Sequence, residues 1–369
     1  MLLARKTLAA WSSAVNGVLS RLMLYDKSSL KILRAQVTQA LESQDFIPHR
    51  VFQRGDTQTL AAYLWPLRPR DRTGDEERLF QVEPGSQVLA RCRWQPNRAG
   101  HPTLMMWHGM EGSTASAYMV STADKAFRTG FNVVRVNVRN CGGTEHLSAT
   151  LYHGGLTHDA LVVIEELIKQ DHLPRLFLAG FSLGGNMILK LAGEYGDNPP
   201  AEVLGICAVS ASVDLRASTQ HMNLRRNWIY QQDFLRRLKN RLRRKQKLFP
   251  DLYDISGLGD IHSIEEFDDR FIAPEFGFAD ARDYYAKASS LPLIKHIRIP
   301  TLIIHAEDDP FIPFAPLRDP SVAANPYVLL IAPERGGHVA FLSANAGEDR
   351  FWAENRLVEF CRILATSRN

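Results

Sequence analysis

The stretch LFLAGFSLGGN, residues 176–186, decides the fold of this 369-residue chain. Its apolar start has the composition of a buried strand, and NMILKLA at 186–192 has that of a helix. Between them, GFSLGG contains the pattern G-x-S-x-G, whose glycines permit a turn tight enough to present a serine hydroxyl at the edge of a sheet. A Gly-rich turn without chemistry is the alternative, but the flanking strand and helix argue against it. We therefore predict a nucleophile elbow at Ser182.

Short apolar runs alternate with helical segments on both sides of this turn, which is typical of a mostly parallel sheet covered on both faces. Strands are expected at 79–82, 88–94, 103–107, 132–137, 175–180, 203–209, 301–305 and 327–331, and helices at 117–128, 157–170, 184–195 and 350–364. The first two strands form a hairpin that supplies an antiparallel edge. The predicted fold class is α/β with eight strands.

Three further segments complete the predicted organisation. About 90 residues separate the sixth and seventh strands, far more than a crossover requires, so we expect a helical lid at 214–298 inserted into a core of 46–213 and 299–369. Residues 1–45 are expected to form an amphipathic helical extension, with an apolar stripe at Leu8, Trp11, Val15, Val18 and Leu22. A membrane-surface anchor or a removed targeting peptide are the alternatives for this segment. The Pro- and charge-rich stretch 50–77 predicts an extended surface arm.

The net charge of +4 comes from 44 basic and 40 acidic residues, but residues 224–248 alone hold ten basic residues and one acid. The remainder is net acidic and has no RNP-like aromatic motif, so a nucleic-acid partner is not expected. Four scattered cysteines without a CxxC pattern argue against a metal site or a disulfide framework, and no cofactor is expected. No apolar run reaches the length of a membrane span, so we expect a cytoplasmic protein, peripheral to a membrane at most.

A serine nucleophile needs a base and an orienting acid, in the chain order Ser, Asp, His for this kind of sheet. Asp308 and Asp309 follow the seventh predicted strand, and His338 follows the eighth in the turn RGGHVAF. Asp309 precedes Pro310 and should be extended, which sends the two aspartate side chains in different directions. We favour Asp309 as the acid and interpret Asp308 as a turn-former or helper.

The developing oxyanion needs two hydrogen-bond donors. The loop HGMEGS at 108–113 follows the third predicted strand, so the backbone N–H groups of Met110 and Leu183 are the predicted donors. His108 is expected to fix this loop and not to act in the chemistry. A thiol nucleophile at Cys141 is a remote alternative to Ser182, because Cys141 does not lie in a nucleophile elbow.

These motifs together resemble the YheT-like group of α/β-hydrolases, which is related to animal abhydrolase-domain lipases and yeast medium-chain ethyl-ester synthases. The marks of the resemblance are DTQTLAAYLWP at 56–66, HGMEGS, NVRNCGG at 137–143, YHGGLTHD at 152–159, GFSLGGN, the basic segment, AEDDP at 306–310 and GGHVAF at 336–341. It implies the triad Ser182, Asp309 and His338, and ester hydrolysis or acyl transfer without a metal or organic cofactor. Two departures, EPGSQ at 83–87 and Asn140, leave the triad untouched.

The expected function is that of a serine carboxylesterase or lipase-like enzyme acting on a small acyl ester through an acyl-enzyme. The alternatives are an acyltransferase with the same residues and a catalytically silent binding protein on this scaffold. Within the lid, Trp228, Leu235, Leu238 and Leu242 form a stripe that could pack above Ser182. The basic residues around it, Arg241, Arg243, Arg244 and Lys245 among them, predict contact with an anionic membrane, against the alternative of a solvated helix face.

Overall fold

The computed structural model describes residues 27–42, 45–64, 74–345 and 347–367. The chain divides into two compact units, Met1–Asp45 and Phe46–Asn369. The first contains helix α1, Lys27–Glu42. The predicted stripe of Leu8, Trp11, Val15, Val18 and Leu22 lies outside the described residues.

The second unit is built on one sheet of eight strands, in the order β1-β2-β4-β3-β5-β6-β7-β8. Its strands are β1 Glu76–Glu83, β2 Ser86–Arg93, β3 Thr103–Trp107, β4 Asn132–Val136, β5 Leu176–Phe181, β6 Val203–Val209, β7 Thr301–Ile304 and β8 Val328–Ile331. The pairs β1–β2 and β2–β4 are antiparallel and all other pairs are parallel. The predicted fold class, with its antiparallel edge, is confirmed.

Helices cover the sheet. They are α2 Gly55–Leu64, α3 Ala117–Arg128, α4 Thr157–Lys169, α5 Leu183–Tyr195, α6 Leu215–Met222, α7 Trp228–Leu248, α8 Ile264–Phe267, α9 Ala273–Glu275, α10 Ala281–Ala288, α11 Pro320–Ala324 and α12 Trp352–Thr366. Every residue of β3, β4, β5 and β6 is buried, which explains why these strands are continuous apolar runs without alternation. Because β3, β5, β7 and β8 are parallel, the loops after them meet at one edge of the sheet.

Within the described part of the segment 50–77, the extended arm that the sequence predicts is wrong for ten residues, which form helix α2. Gln58 on this helix is fully buried. Its side-chain amide donates to the carbonyls of Phe52 and Leu342, at 2.7 and 3.1 Å, and its carbonyl oxygen accepts from the Leu342 N–H at 2.7 Å. These tertiary hydrogen bonds stabilise a short helix whose Pro- and charge-rich flanks conceal it in the sequence.

Helices α6 to α10 lie between β6 and β7, and we call residues 214–298 the cap. Leu235, Leu238 and Leu242 of α7 are buried in an apolar cluster of the cap, as their spacing predicts. Trp228 does not belong to this stripe, because it is 61% exposed at the start of α7.

The prediction that Arg241 and Lys245 contribute to a solvent-facing basic surface is wrong. Arg241 is 4% exposed and Lys245 is fully buried, because both side chains point from α7 to polar groups on core loops. Arg236, Arg243, Arg244 and Lys247 of the same helix do face solvent.

Candidate active site

Ser182 occupies a strained turn between β5 and α5, with φ 53° and ψ −117°. Such a conformation is costly for a residue with a side chain and is found mainly at functional turns. Glycine is required at two neighbouring positions. A Cβ at Gly180 would lie 2.2 Å from the Gly184 carbonyl oxygen, and one at Gly184 would lie 2.5 Å from the carbonyl oxygens of Trp107 and His108. The turn therefore has the geometry of a nucleophile elbow.

His338 and Asp309 are hydrogen-bonded to each other, with 2.8 Å between His338 Nδ1 and Asp309 Oδ2. The other oxygen of Asp309 accepts from the backbone N–H groups of Phe311 and Ile312, at 2.8 and 3.0 Å. Burial alone would raise the pKa of Asp309, but the charge and hydrogen bond of His338 bring it below its ordinary value. Asp309 is thus held as a carboxylate that can orient the imidazole.

Asp308 points elsewhere, as the Asp-Pro sequence predicts. Its Oδ1 accepts from the N–H of Gly337 at 3.0 Å, so it holds the turn that precedes His338. Two more core groups bind the same loop: Thr59 Oγ1 accepts from the His338 N–H at 2.9 Å, and Ser210 Oγ accepts from the Val339 N–H at 3.0 Å. The position of the imidazole therefore depends on α2, β6 and β7 as well as on Asp309.

The loop His108–Ser113 passes directly over the elbow, since a Cβ at Gly109 would lie 3.0 Å from Ser182 Cβ. Tyr118 Oη accepts from the Gly109 N–H at 3.0 Å. Both ring nitrogens of His108 are occupied, Nδ1 by the Gly109 carbonyl at 2.7 Å and Nε2 by the Val138 N–H at 3.0 Å. Burial lowers the pKa of His108 to about 4, so it is a neutral support of the loop. The predicted donor residue Met110 follows within this loop.

An ion pair joins the next residue of this loop to the cap. Glu111 has a φ of 58°, and its carboxylate pairs with Arg241 of α7 in a buried environment. Tyr152 completes the group, because its hydroxyl lies 3.3 Å from Glu111 Oε1 and the Arg241 guanidinium lies 4.6 Å from its ring centre. These contacts hold Glu111 in a backbone conformation that a residue with a side chain rarely adopts.

Lys245, one turn further along α7, provides a second attachment of the cap. Its ammonium donates to Asn140 Oδ1 at 3.1 Å and to the carbonyls of Glu145 and Ser148. Burial lowers the pKa of Lys245 to about 8, against opposing effects of nearby acids. The basic segment thus has an inward face, formed by Arg241 and Lys245, that fastens the cap to the core.

Ser182, Met110 and Leu183 line one cavity together with apolar and aromatic side chains of the cap, and its empty space, including space open to the solvent, is about 850 Å³. Phe311 also lines it, and its ring lies 4.7 Å from that of His338. The structure thus brings the predicted nucleophile and both predicted donor residues to one cavity, and the predicted base lies behind Phe311 of its wall.

Comparison with known proteins identifies the family. Residues 102–344 match the family model of the alpha/beta hydrolase fold. The chain is 34% identical to the candidate esterase YheT of Escherichia coli (strain K12) over 86% of its length and 93% of that protein. This chain belongs to the α/β-hydrolase family, as a relative of YheT.

Two other comparisons are consistent with this membership. The hydrolase is 30% identical to a monoacylglycerol lipase of Saccharomyces cerevisiae over 71% of its length, although it spans only 59% of that protein. Its fold is similar to that of the Pyrococcus furiosus esterase Pf2001, with a TM-score of 0.53 and 15% identity over 86% of this chain and 97% of that one.

Several residues that support the site of this hydrolase were not predicted as such. Asn186 is fully buried behind the elbow, and its amide donates to the carbonyls of Gly154 and Ala288 and accepts from the Ser290 N–H. Thr59 and Gln58 stabilise the loop of His338 from α2. All three lie within motifs that carry the family resemblance, DTQTL and GFSLGGN. The sequence therefore pointed to these residues but did not show which part of the site they support.

The motif residues Arg139 and Asp159 form a buried ion pair. Two hydrogen bonds of 2.6 Å join them, and Glu83 of the divergent EPGSQ turn also binds Arg139.

Cys141 is buried, which raises the pKa of its thiol to about 12 and argues against a thiolate nucleophile. Among the described residues, no cluster of His, Cys, Asp or Glu side chains is suited to hold a metal ion.

Proposed function

We propose that this hydrolase cleaves carboxylic esters, with Ser182 as nucleophile, His338 as general base and Asp309 as orienting acid. The observation that carries the proposal is the hydrogen bond between His338 and Asp309, next to Phe311 of the cavity that Ser182 lines. Asp309 would keep the proton of the neutral imidazole on Nδ1, which leaves Nε2 free to accept a proton from the serine hydroxyl.

In the first step, Ser182 Oγ attacks the ester carbonyl carbon as His338 removes its proton. The resulting imidazolium is stabilised by the Asp309 carboxylate. The backbone N–H groups of Met110 and Leu183 donate hydrogen bonds to the carbonyl oxygen, on which negative charge develops. They stabilise the transition state most if they already point at the position of that oxygen. His338 then donates its proton to the leaving alkoxide, and an acyl-enzyme on Ser182 remains.

In the second step, His338 activates a water molecule, which attacks the acyl-enzyme and releases the carboxylic acid. An alcohol in place of water would give a new ester, so acyl transfer uses the same residues. We propose hydrolysis as the main reaction, and the names of the bacterial and yeast relatives, an esterase and a monoacylglycerol lipase, support it.

The experiment that tests this function begins with labelling by a fluorophosphonate probe, which reacts with activated serines. Labelled wild-type protein and unlabelled Ser182→Ala protein are expected. A series of p-nitrophenyl esters of increasing acyl length then measures the capacity of the cavity, and an added alcohol measures the share of acyl transfer. Wild-type protein that neither reacts with the probe nor turns over any ester would contradict the proposal.

We further propose that the outer face of α7 contacts anionic membrane surfaces. Arg236, Arg243, Arg244 and Lys247 are exposed on this face, and Trp228 is exposed at the start of the helix. Each basic residue near such a surface contributes about 1 kcal/mol of attraction. No described helix has the length and hydropathy of a membrane span.

A further inference from the structure

Asp268 is a carboxyl group on the wall of the cavity that contains Ser182. The surrounding wall is mainly apolar and includes Leu238, Ile264 and Phe267. A carboxyl group is costly in such surroundings unless hydrogen bonds satisfy it. Asp268 also begins a π-helical turn, Asp268–Ile272, a rare element that is frequent at functional sites.

Only one of the two carboxyl oxygens of Asp268 has a hydrogen-bond partner among the described residues. Its Oδ2 accepts from the Tyr285 hydroxyl at 2.7 Å. Its Oδ1 has no hydrogen-bond partner among the residues that the structure describes. An oxygen without a partner on the wall of a substrate cavity is available to a group on the substrate.

A continuous row of side chains connects Asp268 to the elbow. A Cβ at Gly154 would lie 2.6 Å from the Leu183 side chain and 3.3 Å from the Tyr284 hydroxyl, so Tyr284 stands beside the residue that follows the nucleophile. The rings of Tyr284 and Tyr285 are 5.0 Å apart, and Tyr285 binds Asp268. Asp268 is therefore separated from the elbow by two aromatic side chains, within the same cavity.

The chemistry of this position favours a neutral hydroxyl group over a cation. The mainly apolar wall offers little to replace the hydration shell of an ammonium group, so a cation is costly there. A hydroxyl can donate to a carboxylate or accept from a carboxylic acid, so it pairs with Asp268 in either protonation state. An alkyl chain without a polar end would leave Oδ1 unsatisfied.

We propose that Asp268 forms a specificity subsite for a hydroxyl group carried far from the scissile bond of the ester substrate. The subsite rests on the proposed ester hydrolysis and adds a substrate class, the esters with a remote hydroxyl. That hydroxyl can belong to the acyl or to the alcohol part of the ester, and the two parts are distinguished by experiment.

The test compares matched esters that differ only in a terminal hydroxyl. Hexyl acetate and its ω-hydroxylated counterpart probe the alcohol part, and methyl hexanoate and its ω-hydroxylated counterpart probe the acyl part. For wild type and Asp268→Leu, the ratio of kcat/KM of each hydroxylated ester to that of its partner is measured. For the pair of esters whose added hydroxyl reaches Asp268, the Asp268→Leu substitution should lower this ratio about tenfold. That is the effect expected when one hydrogen bond between enzyme and substrate is lost.

Asp269→Asn is the matched control. Asp269 is the next residue of the same turn, and its carboxylate accepts from the Ala281 N–H at 3.0 Å, away from the residues that line the cavity. This variant should keep the wild-type ratio. Equal ratios in wild type and Asp268→Leu for both ester pairs would overturn the subsite.

Binding provides a readout that does not depend on catalysis or on the folding of the variant. Isothermal titration of wild-type protein compares hexanol with the α,ω-hexanediol. A second hydroxyl that enters an apolar cavity without a partner weakens binding by about tenfold or more. Diol binding as tight as that of hexanol, or tighter, supports the subsite, and diol binding weaker by that factor overturns it.

The two proposals fail in different ways. Turnover of p-nitrophenyl acetate by wild type with unchanged ester ratios in Asp268→Leu overturns the subsite and leaves ester hydrolysis standing. Absence of both probe labelling and ester turnover overturns the hydrolysis. The comparison of hexanol with the diol, repeated with Asp268→Leu, then still decides whether Asp268 binds a hydroxyl.

Discussion

Arg241 of the cap and Glu111 of the loop next to the nucleophile form a buried ion pair. Glu111 directly follows Met110, the residue whose N–H we propose as an oxyanion donor. The pair therefore links the position of the cap to the direction of that N–H group, through a backbone that is held at a positive φ.

Removing one partner of this pair should affect catalysis more than substrate binding. Arg241→Met leaves the Glu111 carboxylate buried without its partner, which typically costs about 3–5 kcal/mol of stability. We expect kcat on p-nitrophenyl esters to fall at least about tenfold, because the loop relaxes and one oxyanion donor is misplaced. Arg243→Met, an exposed neighbour on the same helix, serves as the control.

The double variant Arg241→Met with Glu111→Gln separates a positioning role from a general loss of stability. Since no unpaired charge remains, its stability should recover in part, while kcat stays low. If kcat of folded Arg241→Met equals that of Arg243→Met, the pair does not position the oxyanion loop.

Ser182→Ala should remove ester hydrolysis and leave the fold intact, because one hydroxyl at the cavity wall contributes little packing. Loss of a triad nucleophile typically lowers kcat by about 10⁶-fold. Turnover of p-nitrophenyl esters gives the activity and circular dichroism checks the fold. A variant that keeps more than about a tenth of wild-type activity would place the nucleophile elsewhere. His338→Ala should be comparably severe.

The two aspartates after β7 should differ strongly. Asp309→Asn should lower kcat by up to roughly 10⁴-fold, because an amide can neither hold the Nδ1–H tautomer nor stabilise the imidazolium. Asp308→Asn should be much milder, because the amide oxygen of Asn can still accept from the Gly337 N–H. The comparison of kcat in both variants is the measurement, and the reverse ranking would assign the acid to Asp308.

The stability of the protein should depend on pH through Asp268. Burial raises the pKa of this carboxyl to about 7, against the opposing hydrogen bond of Tyr285 and with a contribution from the charge of Glu265. An aspartate in the unfolded chain titrates near ~3.9, so between about pH 4 and 7 the folded protein holds a proton that the unfolded chain has released. The contribution of this group to the free energy of unfolding therefore falls as pH rises through that window, and is constant above it.

Asp268→Asn cannot titrate, so its free energy of unfolding should rise relative to wild type by up to about 4 kcal/mol between about pH 4 and 7. Urea denaturation at several pH values measures the difference, with Asp269→Asn as the reference variant. Parallel pH profiles of wild type and Asp268→Asn would show that the carboxyl titrates normally.

Contact with membranes should depend on the exposed basic residues of α7 and not on the buried ones. The triple variant Arg236→Gln, Arg243→Gln and Lys247→Gln should bind vesicles that contain anionic lipids more weakly at low salt, where screening is least. A variant with the same loss of charge elsewhere, at the exposed residues Arg128, Lys169 and Arg318, is the control. Equal vesicle binding by the two triple variants and wild type would favour the solvated-face interpretation.

The sequence correctly predicted the strands and helices whose local pattern of apolar residues matches their burial in the folded protein. Strand β3 and helix α3 begin and end at the predicted residues, because β3 is buried on both faces and α3 is amphipathic throughout. The hydrogen bond between His338 and Asp309 was predictable for a related reason. Both residues follow parallel strands, so the topology brings them together whatever the intervening chain contains.

Contacts that depend on distant loops were not predictable. Arg241 and Lys245 read as exposed because nothing in their own segment shows that a carboxylate and three oxygen atoms of core loops face them. Helix α2 was missed because its stability comes from hydrogen bonds between Gln58 and Leu342, which is 284 residues away in the chain. Periodicity within a short window contains no information about such partners.

The side-chain amide of Asn186 offers a native spectroscopic reporter for this enzyme. Its two hydrogen bonds of 2.9 Å join the carbonyl of Gly154, beside the elbow, to that of Ala288, at the end of the cap. In a nitrogen-15 NMR spectrum, its two N–H resonances would therefore report separately on these two places. A ligand that shifts only one resonance would reveal whether its effect reaches the elbow or the end of α10, with nitrogen-15 as the only label.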